Sequence, residues 1–441
     1  MKKTLLLLFC ALASFLLASK ATAKVYIDID APSGTKLPIA IQQFKITDTK
    51  EKNLNTASFA RSAIMETLEG DLHFTGLFSV IDKAAYIEDP AESSLAGIET
   101  DFSSWRVIGA DALIKGSVKV VGESLSVEIR LFDTVKEKTI TGTRYIGKII
   151  NPRVIAHRFA DEIIKELTGQ PGIFATRFLF VAERTGNKEV YICDYDGKNI
   201  KQLTHNGSIN LSPRWSPNGR KILFTSYKLG PPFLYERTIS SGRERAVSKS
   251  KGINIGGRWS PDGERIALTL SIDKNPELYT LDLTTKRKKR ITRNHGIDVS
   301  PSWSPDGKRL VYVSDIAGNP HIYMLTSKGG IPKRLTYKGK YNATPVWSPD
   351  GKKIAFSRMK SGSFNIWSMN TDGSDQRQLT FTGNNESPSW SPNSRYIAFS
   401  STKDTSAQEL YIMRYDGTGV RKIPIGLDNL SSPSWSPFLN Y

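Results

Sequence analysis

Cysteine is nearly missing from this chain: Cys10 and Cys193 are the only two in 441 residues. Cys10 falls inside a leader-like start, which leaves one thiol and excludes an intramolecular disulfide, so stability has to come from burial. Histidine is scarce too, at five residues: His73, His157, His205, His295 and His321. The sequence contains no G-x-S-x-G elbow, H-E-x-x-H helix, P-loop or G-x-G-x-x-G stretch. It therefore gives no basis for a serine hydrolase, a zinc protease or a nucleotide enzyme. Acidic charge is also short, with 43 Asp and Glu against 61 Lys and Arg. The long apolar run Leu5–Leu17 is shorter than the ~20 residues a spanning helix needs.

That run follows Lys2 and Lys3 and precedes Ala21-Thr22-Ala23, the layout of a secretory signal peptide over residues 1–23. The expectation is an exported chain starting at Lys24, with no direct membrane insertion. Removing the leader leaves 58 basic residues against the same 43 acidic ones, a balance that suits acidic partners or an anionic surface. The densest basic run, Lys286–Arg290, reads as hairpin charge, and an exported chain is not expected to meet nucleic acid.

What the chain does have is a repeated phrase. Trp-Ser-Pro recurs at Trp215, Trp259, Trp303, Trp347, Trp390 and Trp435, at intervals of 44, 44, 44, 43 and 45 residues. Repeats of ~40–50 residues made of short strands mark β-propeller blades. In the unit at Trp303, Pro301–Ser304 is a short strand and Pro305-Asp306-Gly307 a tight turn. Arg309–Ser314, His321–Thr326 and Lys333–Thr336 then follow as strands. Five Trp phrases have three strands after them, while Trp435 has only the chain's last residues. Conversely, Phe178–Ala182, Val190–Asp194 and Lys201–Thr204 are three strands with no Trp phrase before them. Joining the two remnants predicts six blades, closed by the C-terminal strand.

Residues 24–172 carry no repeat and are read as a small α/β domain ahead of the propeller at 173–441. Expected there are strands at Lys24–Ile29, Leu37–Phe44 and Leu77–Ile81. A helix over Thr56–Leu72 would bury Phe59, Ala63, Leu68 and Leu72, and a three-strand meander would span Ala112–Ile146. A second helix, Pro152–Leu167, would be ended by Gly169 and Pro171. The fold class is thus mainly β with an α/β N-terminal domain.

Five residues before successive Trp anchors stand Asn210, Asn254, Asp298, Asn342 and Asn385. Equivalent blade positions repeat around the axis, so these five should form a polar ring at the channel mouth. They either start turns or offer a hydrogen-bonding rim to a partner. His205 and His295 fall in corresponding inter-blade loops and are read as loop caps and rim residues. Cys193, inside a strand, is read as a buried inert thiol. Neither a metal nor a cofactor is expected.

Leader, α/β domain and Trp-Ser-Pro propeller together resemble the TolB family of the Tol-Pal system. The carriers are Leu77-Phe78 with Val80, the segment Trp105–Leu113, Gly169, Ser314–Pro320 and the closing Pro433–Pro437. The resemblance implies a non-enzymatic periplasmic adaptor, acting as a monomer. It would bind Pal, a peptidoglycan-associated lipoprotein, through the rim loops carrying Asn210 to Asn385. It would bind TolA, an inner-membrane protein, through the mature N-terminal segment: Lys24, Val25, Tyr26, Ile27 and Asp28, on toward Ser33. Such a protein supports outer-membrane integrity and constriction during division. Here blade two has Ile253-Asn254 at the rim, where familiar members carry His. The alternative is a propeller hydrolase or lyase using His205 and His295, although residues 24–172 are too short for a peptidase domain.

Overall fold

The structure, a computed structural model, describes residues 27, 36–47, 50–89, 94–149, 151–184 and 186–439. The chain divides into two compact units between Gln170 and Pro171.

The first unit is a sheet with two long helices. Strand Leu37–Ile41 lies between Phe78–Val80 and Ala112–Val121, parallel to both, and the meander Ala112–Val121, Ser124–Asp133, Lys138–Lys148 runs on antiparallel. Helix Glu51–Thr75 makes the crossover between the first two parallel strands. It ends on Gly76 in the left-handed region, φ 70°, where glycine carries no Cβ penalty. Its buried face is Ala57, Ala60, Ile64, Leu68 and Leu72, while Phe59 is 67% exposed. The expected placement of Phe59 in the core is therefore wrong. The stripe at spacings of three and four falls one residue away from it, and a leading aromatic does not set helix phase.

Helix Arg153–Thr168 packs against the first helix and stops at Gly169, φ 71°. Between them the buried Asp71 carboxylate meets His157 Nδ1 at 2.7 Å, and Arg153 Nη1 donates to Thr67 Oγ1 at 2.7 Å. A short helix, Phe102–Val107, was not expected. It buries Trp105, whose Nε1 donates to Glu88 Oε2 at 2.7 Å. The other Glu88 oxygen holds the buried Lys115 ammonium at 2.7 Å.

The second unit is a six-bladed propeller of four-stranded antiparallel sheets. Blades one to five begin at Asn210, Asn254, Asp298, Asn342 and Asn385. Blade six takes its inner strand, Ser431–Trp435, from the C-terminus and its other three, Arg177–Glu183, Lys188–Asp194 and Lys201–Gln202, from the start of the unit. Adjacent blades share apolar cores, as in Leu179, Ile192, Ile222 and Phe224 between blades six and one. Indole N–H groups staple blade to blade: Trp215 Nε1 donates to Ser434 O, Trp303 to Arg258 O and Trp390 to Val346 O, at 3.0–3.2 Å.

The phrase itself builds the turn after each inner strand. The buried Ser304 hydroxyl donates to Asp306 and accepts the Arg309 N–H at 2.9 Å, and Ser348 repeats this with Asp350 and Lys353. Asp and Asn here are turn formers.

Candidate functional site

Each inner strand opens beside the loop arriving from the previous blade, so the ring residues sit where loop, strand and channel meet. Asn210, Asn254, Asp298, Asn342 and Asn385 are all buried, 0–1% exposed, and so present nothing to a partner. The expected exposed rim is corrected on this point, because their polar groups are spent inward. Asn210 Nδ2 donates to Glu189 Oε2 at 2.9 Å and to Lys188 O at 3.0 Å. Asn254 accepts from Ser248 Oγ and the Ser250 N–H, and donates to Ser250 O. Asn385 Nδ2 reaches Thr382 O at 2.9 Å. Asn342 Nδ2 lies 3.1 Å from His321 Nδ1, and its oxygen accepts from Arg358 Nε at 2.7 Å. Burial, with Arg334 and Arg358 nearby, pushes His321 down to about 4. Its ring is therefore neutral at physiological pH and accepts from that amide. Buried amides bonded in this way fix loop shape.

Asp298 is the acid among these amides. Asn294 Nδ2 donates to its Oδ2 at 2.7 Å, while Oδ1 and Glu277 Oε2 are both buried with no hydrogen-bond partner. Burial raises the Asp298 carboxyl to about 6, against hydrogen bonds from Ser314, Thr292 and Asn294, and the Glu277 charge adds to the rise. Glu277 stays below the usual carboxylate range because hydrogen bonds from Thr292, Asn294 and Arg290 outweigh the cost of its burial.

Apolar and aromatic side chains reach solvent on this face, alongside basic ones such as Arg293, Lys338 and Lys340. One residue before the ring stand Ile209, Ile253, Ile297 and Tyr341, of which Ile209, Ile297 and Tyr341 are exposed. Five before it stands Tyr337, 71% exposed, and the fifth loop offers Phe381, 75% exposed. Leu229 and Ile272 add to them from loops joining second and third strands. The sequence reading missed these residues, although reading the repeat column by column shows the signal: Ile, Ile, Ile, Tyr where a loop is ordinarily polar. His205 and His295 are exposed on the same loops, but by repeat spacing His205 corresponds to Arg293 rather than His295. Nor are they the caps, since Asn206 accepts from the Ser208 N–H and Asn294 from the Gly296 N–H.

A family model described as the TolB beta propeller domain matches residues 164–439. The chain belongs to the TolB family. A model described as the TolB amino-terminal domain matches residues 25–140. The crystal structure of TolB from Acinetobacter baumannii is similar with a TM-score of 0.78 and 28% identity, covering 92% of this chain and 98% of that one. The Tol-Pal system protein TolB of Syntrophotalea carbinolica is 44% identical over 216 residues, 49% of either chain. That of Desulfosudis oleivorans is 39% identical over 224 residues, 51% of this chain and 50% of the relative. The chain spans about half the length of these curated relatives.

In this TolB-family chain, the expected N-terminal segment has one described residue, Ile27; Lys24, Val25, Tyr26 and Asp28 lie outside the described residues. The Ile27 N–H donates to Leu167 O at 2.7 Å. Leu167 sits in the last turn of helix Arg153–Thr168, where carbonyls lack helical partners. Ile27 thus supplies a main-chain cap to that carbonyl. Cys193 is buried, and burial pushes its thiol well up, with Asp194 and Asp196 adding; such a thiol is a poor nucleophile. Among the described residues no helix is long and apolar enough to cross a membrane.

Proposed function

We propose that this chain is a non-enzymatic periplasmic adaptor of the Tol-Pal system. It binds a Pal-like lipoprotein at the Asn-ringed mouth of the propeller and a TolA-like protein through its N-terminal segment, supporting outer-membrane integrity during division. The observation that carries the reading is the set of exposed Ile209, Ile297, Tyr337, Tyr341 and Phe381 side chains on loops braced by buried amides. Apolar and aromatic groups on pre-ordered loops dock with little ordering cost. The relatives' shared name, Tol-Pal system protein TolB, supports the same assignment. The main-chain bond from Ile27 to Leu167 gives the segment a docking point, as an exchange between docked and released states requires.

The test is calorimetric titration with soluble Pal and with the TolA C-terminal domain. An Ile297→Asp, Tyr341→Asp variant is expected to bind Pal at least tenfold more weakly (about 1.4 kcal/mol) with unchanged melting. A chain without residues 24–33 is expected to lose TolA binding while keeping Pal binding. Unaltered Pal affinity in the first variant would remove the rim from the proposal; unaltered TolA affinity in the second would remove the segment.

A further inference from the structure

At the opposite end of the channel the inner strands run into the Trp-Ser-Pro turns and enclose a cavity of about 360 Å³ with walls from all six blades. The six anchor tryptophans line it, and exposed prolines such as Pro217, Pro261, Pro305 and Pro349 ring its mouth. One repeat column sets its polarity. The residue before each anchor is Arg214, Arg258, Ser302, Val346, Ser389 and Ser434 in turn, so two neighbouring blades place guanidinium groups in a wall that is otherwise hydroxyl or apolar.

Neither arginine is paired with a carboxylate among the described residues. Most of the propeller's other arginines near an acid are paired, as Arg290 is with Glu277 and Arg237 with Glu244. Arg214 Nη1 donates to the adjacent Pro213 carbonyl at 2.8 Å, and the Arg258 guanidinium has no hydrogen bond or ion pair among the described residues. Burial pushes Arg214 down to about 10, and pushes Arg258 well below its usual range with the Arg214 charge adding to the effect. Both side chains are partly exposed at the open cavity, and two neighbouring like charges without a counter-charge repel each other, a cost that a bound anion relieves.

We propose that this end of the channel binds a small oxyanion, with Arg214 and Arg258 bridging its carboxylate or phosphate group. Planar guanidinium forks match both groups in bidentate fashion. Ser389 Oγ already accepts the Trp435 N–H at 2.9 Å and Ser302 Oγ the Trp347 N–H at 3.3 Å, which leaves each hydroxyl hydrogen to donate. The volume lies at the small end of ligand pockets, so the ligand is a compact anion, with the indole walls supplying apolar cover.

The test is thermal melting and calorimetric titration of the purified protein with sodium phosphate and sodium citrate, against sodium chloride at equal ionic strength. The comparison is with Arg214→Ser, Arg258→Ser and the double variant, serine being what blades three, five and six hold at this position. Because phosphate and citrate also stabilise proteins by exclusion from the surface, only the difference between wild type and variants counts. Wild type is expected to melt several degrees higher in one of the two anions than in chloride. The double variant is expected to lose that increment, bind at least tenfold more weakly, and melt above wild type in chloride because the repulsion is gone. The single variants give the same reading if the double variant does not fold. A response to citrate alone assigns a carboxylate ligand, and a response to phosphate alone assigns a phosphate. An equal increment in wild type and variants, or none in wild type, would overturn the proposal.

Discussion

Asp298 stands where four other blades open with an amide, and the exchange of one group changes what that corner does with pH. Its carboxyl is raised to about 6 from 3.8, chiefly by burial. The native state therefore holds a proton that the unfolded chain has lost. Below about pH 4 both states are protonated and nothing is lost; between about pH 4 and 6 stability falls as pH rises, and above 6 the full penalty persists. Asp298→Asn, copying the other blades, is expected to stabilise the protein at pH 8 by on the order of 1–3 kcal/mol and to be nearly neutral at pH 4.5. Urea denaturation at the two pH values measures it, and an equal effect at both would separate the gain from ionisation. At this scale the sequence was half legible. The repeat gives the ring's positions, since Asn and Asp recur at one offset from Trp. Their burial was not legible, because the same residues serve an exposed turn and a buried brace equally well.

The strand and its following turn are the next scale, and there the inner strands hide themselves. Each carries a bulge before its Trp, with Ser212, Gly256, Ser300, Thr344, Ser387 or Ser432 at positive φ of 48–69°. A residue outside the ladder breaks the period-2 pattern, so only Pro301–Ser304 is visible of a strand that runs Asp298–Trp303. Second and third strands, which have no such bulge, were read nearly to the residue, as Arg309–Ser314 and His321–Thr326 show. The helix Phe102–Val107 was invisible for a different reason: six residues are too few for an apolar period to register. The turn is where the phrase acts. Removing the Ser304 hydroxyl strands the Arg309 N–H and one Asp306 bond. Ser304→Ala is thus expected to cost about 1–2 kcal/mol, while Lys308→Ala, at an exposed turn position, stays within about 0.5 kcal/mol. Chemical denaturation of the pair checks it; equal midpoints would mean the serine is incidental to the turn.

For the whole molecule the decisive contact is the one between chain ends. Strand Ser431–Trp435 pairs with Arg177–Glu183 through Ser434↔Leu179 and Trp435↔Phe178. The Trp435 ring lies 4.6 Å from that of Phe178, and its Nε1 donates to Thr176 Oγ1 at 2.8 Å. The Trp215 indole, in turn, bonds Ser434 O, so the last strand also staples blade one to blade six. A buried Trp of about 200 Å² contributes roughly 5 kcal/mol at ~25 cal/mol per Å², comparable to the entire margin of ~5–15 kcal/mol by which domains are stable. Ending the chain at Leu430 would remove that burial, open the blade-six edge and leave the Trp215 staple unpaired. The expected result is loss of the cooperative propeller transition in scanning calorimetry. Trp435→Phe, which keeps an aromatic ring in the strand but gives up the Nε1 bond and part of the buried ring volume, is expected to lower stability by about 2–4 kcal/mol with cooperativity intact. A truncated chain that kept the full transition would show that the interfaces between blades hold the toroid without its closing strand. The exposed rim and the arginine-lined end of the channel would then owe their rigidity to those interfaces alone.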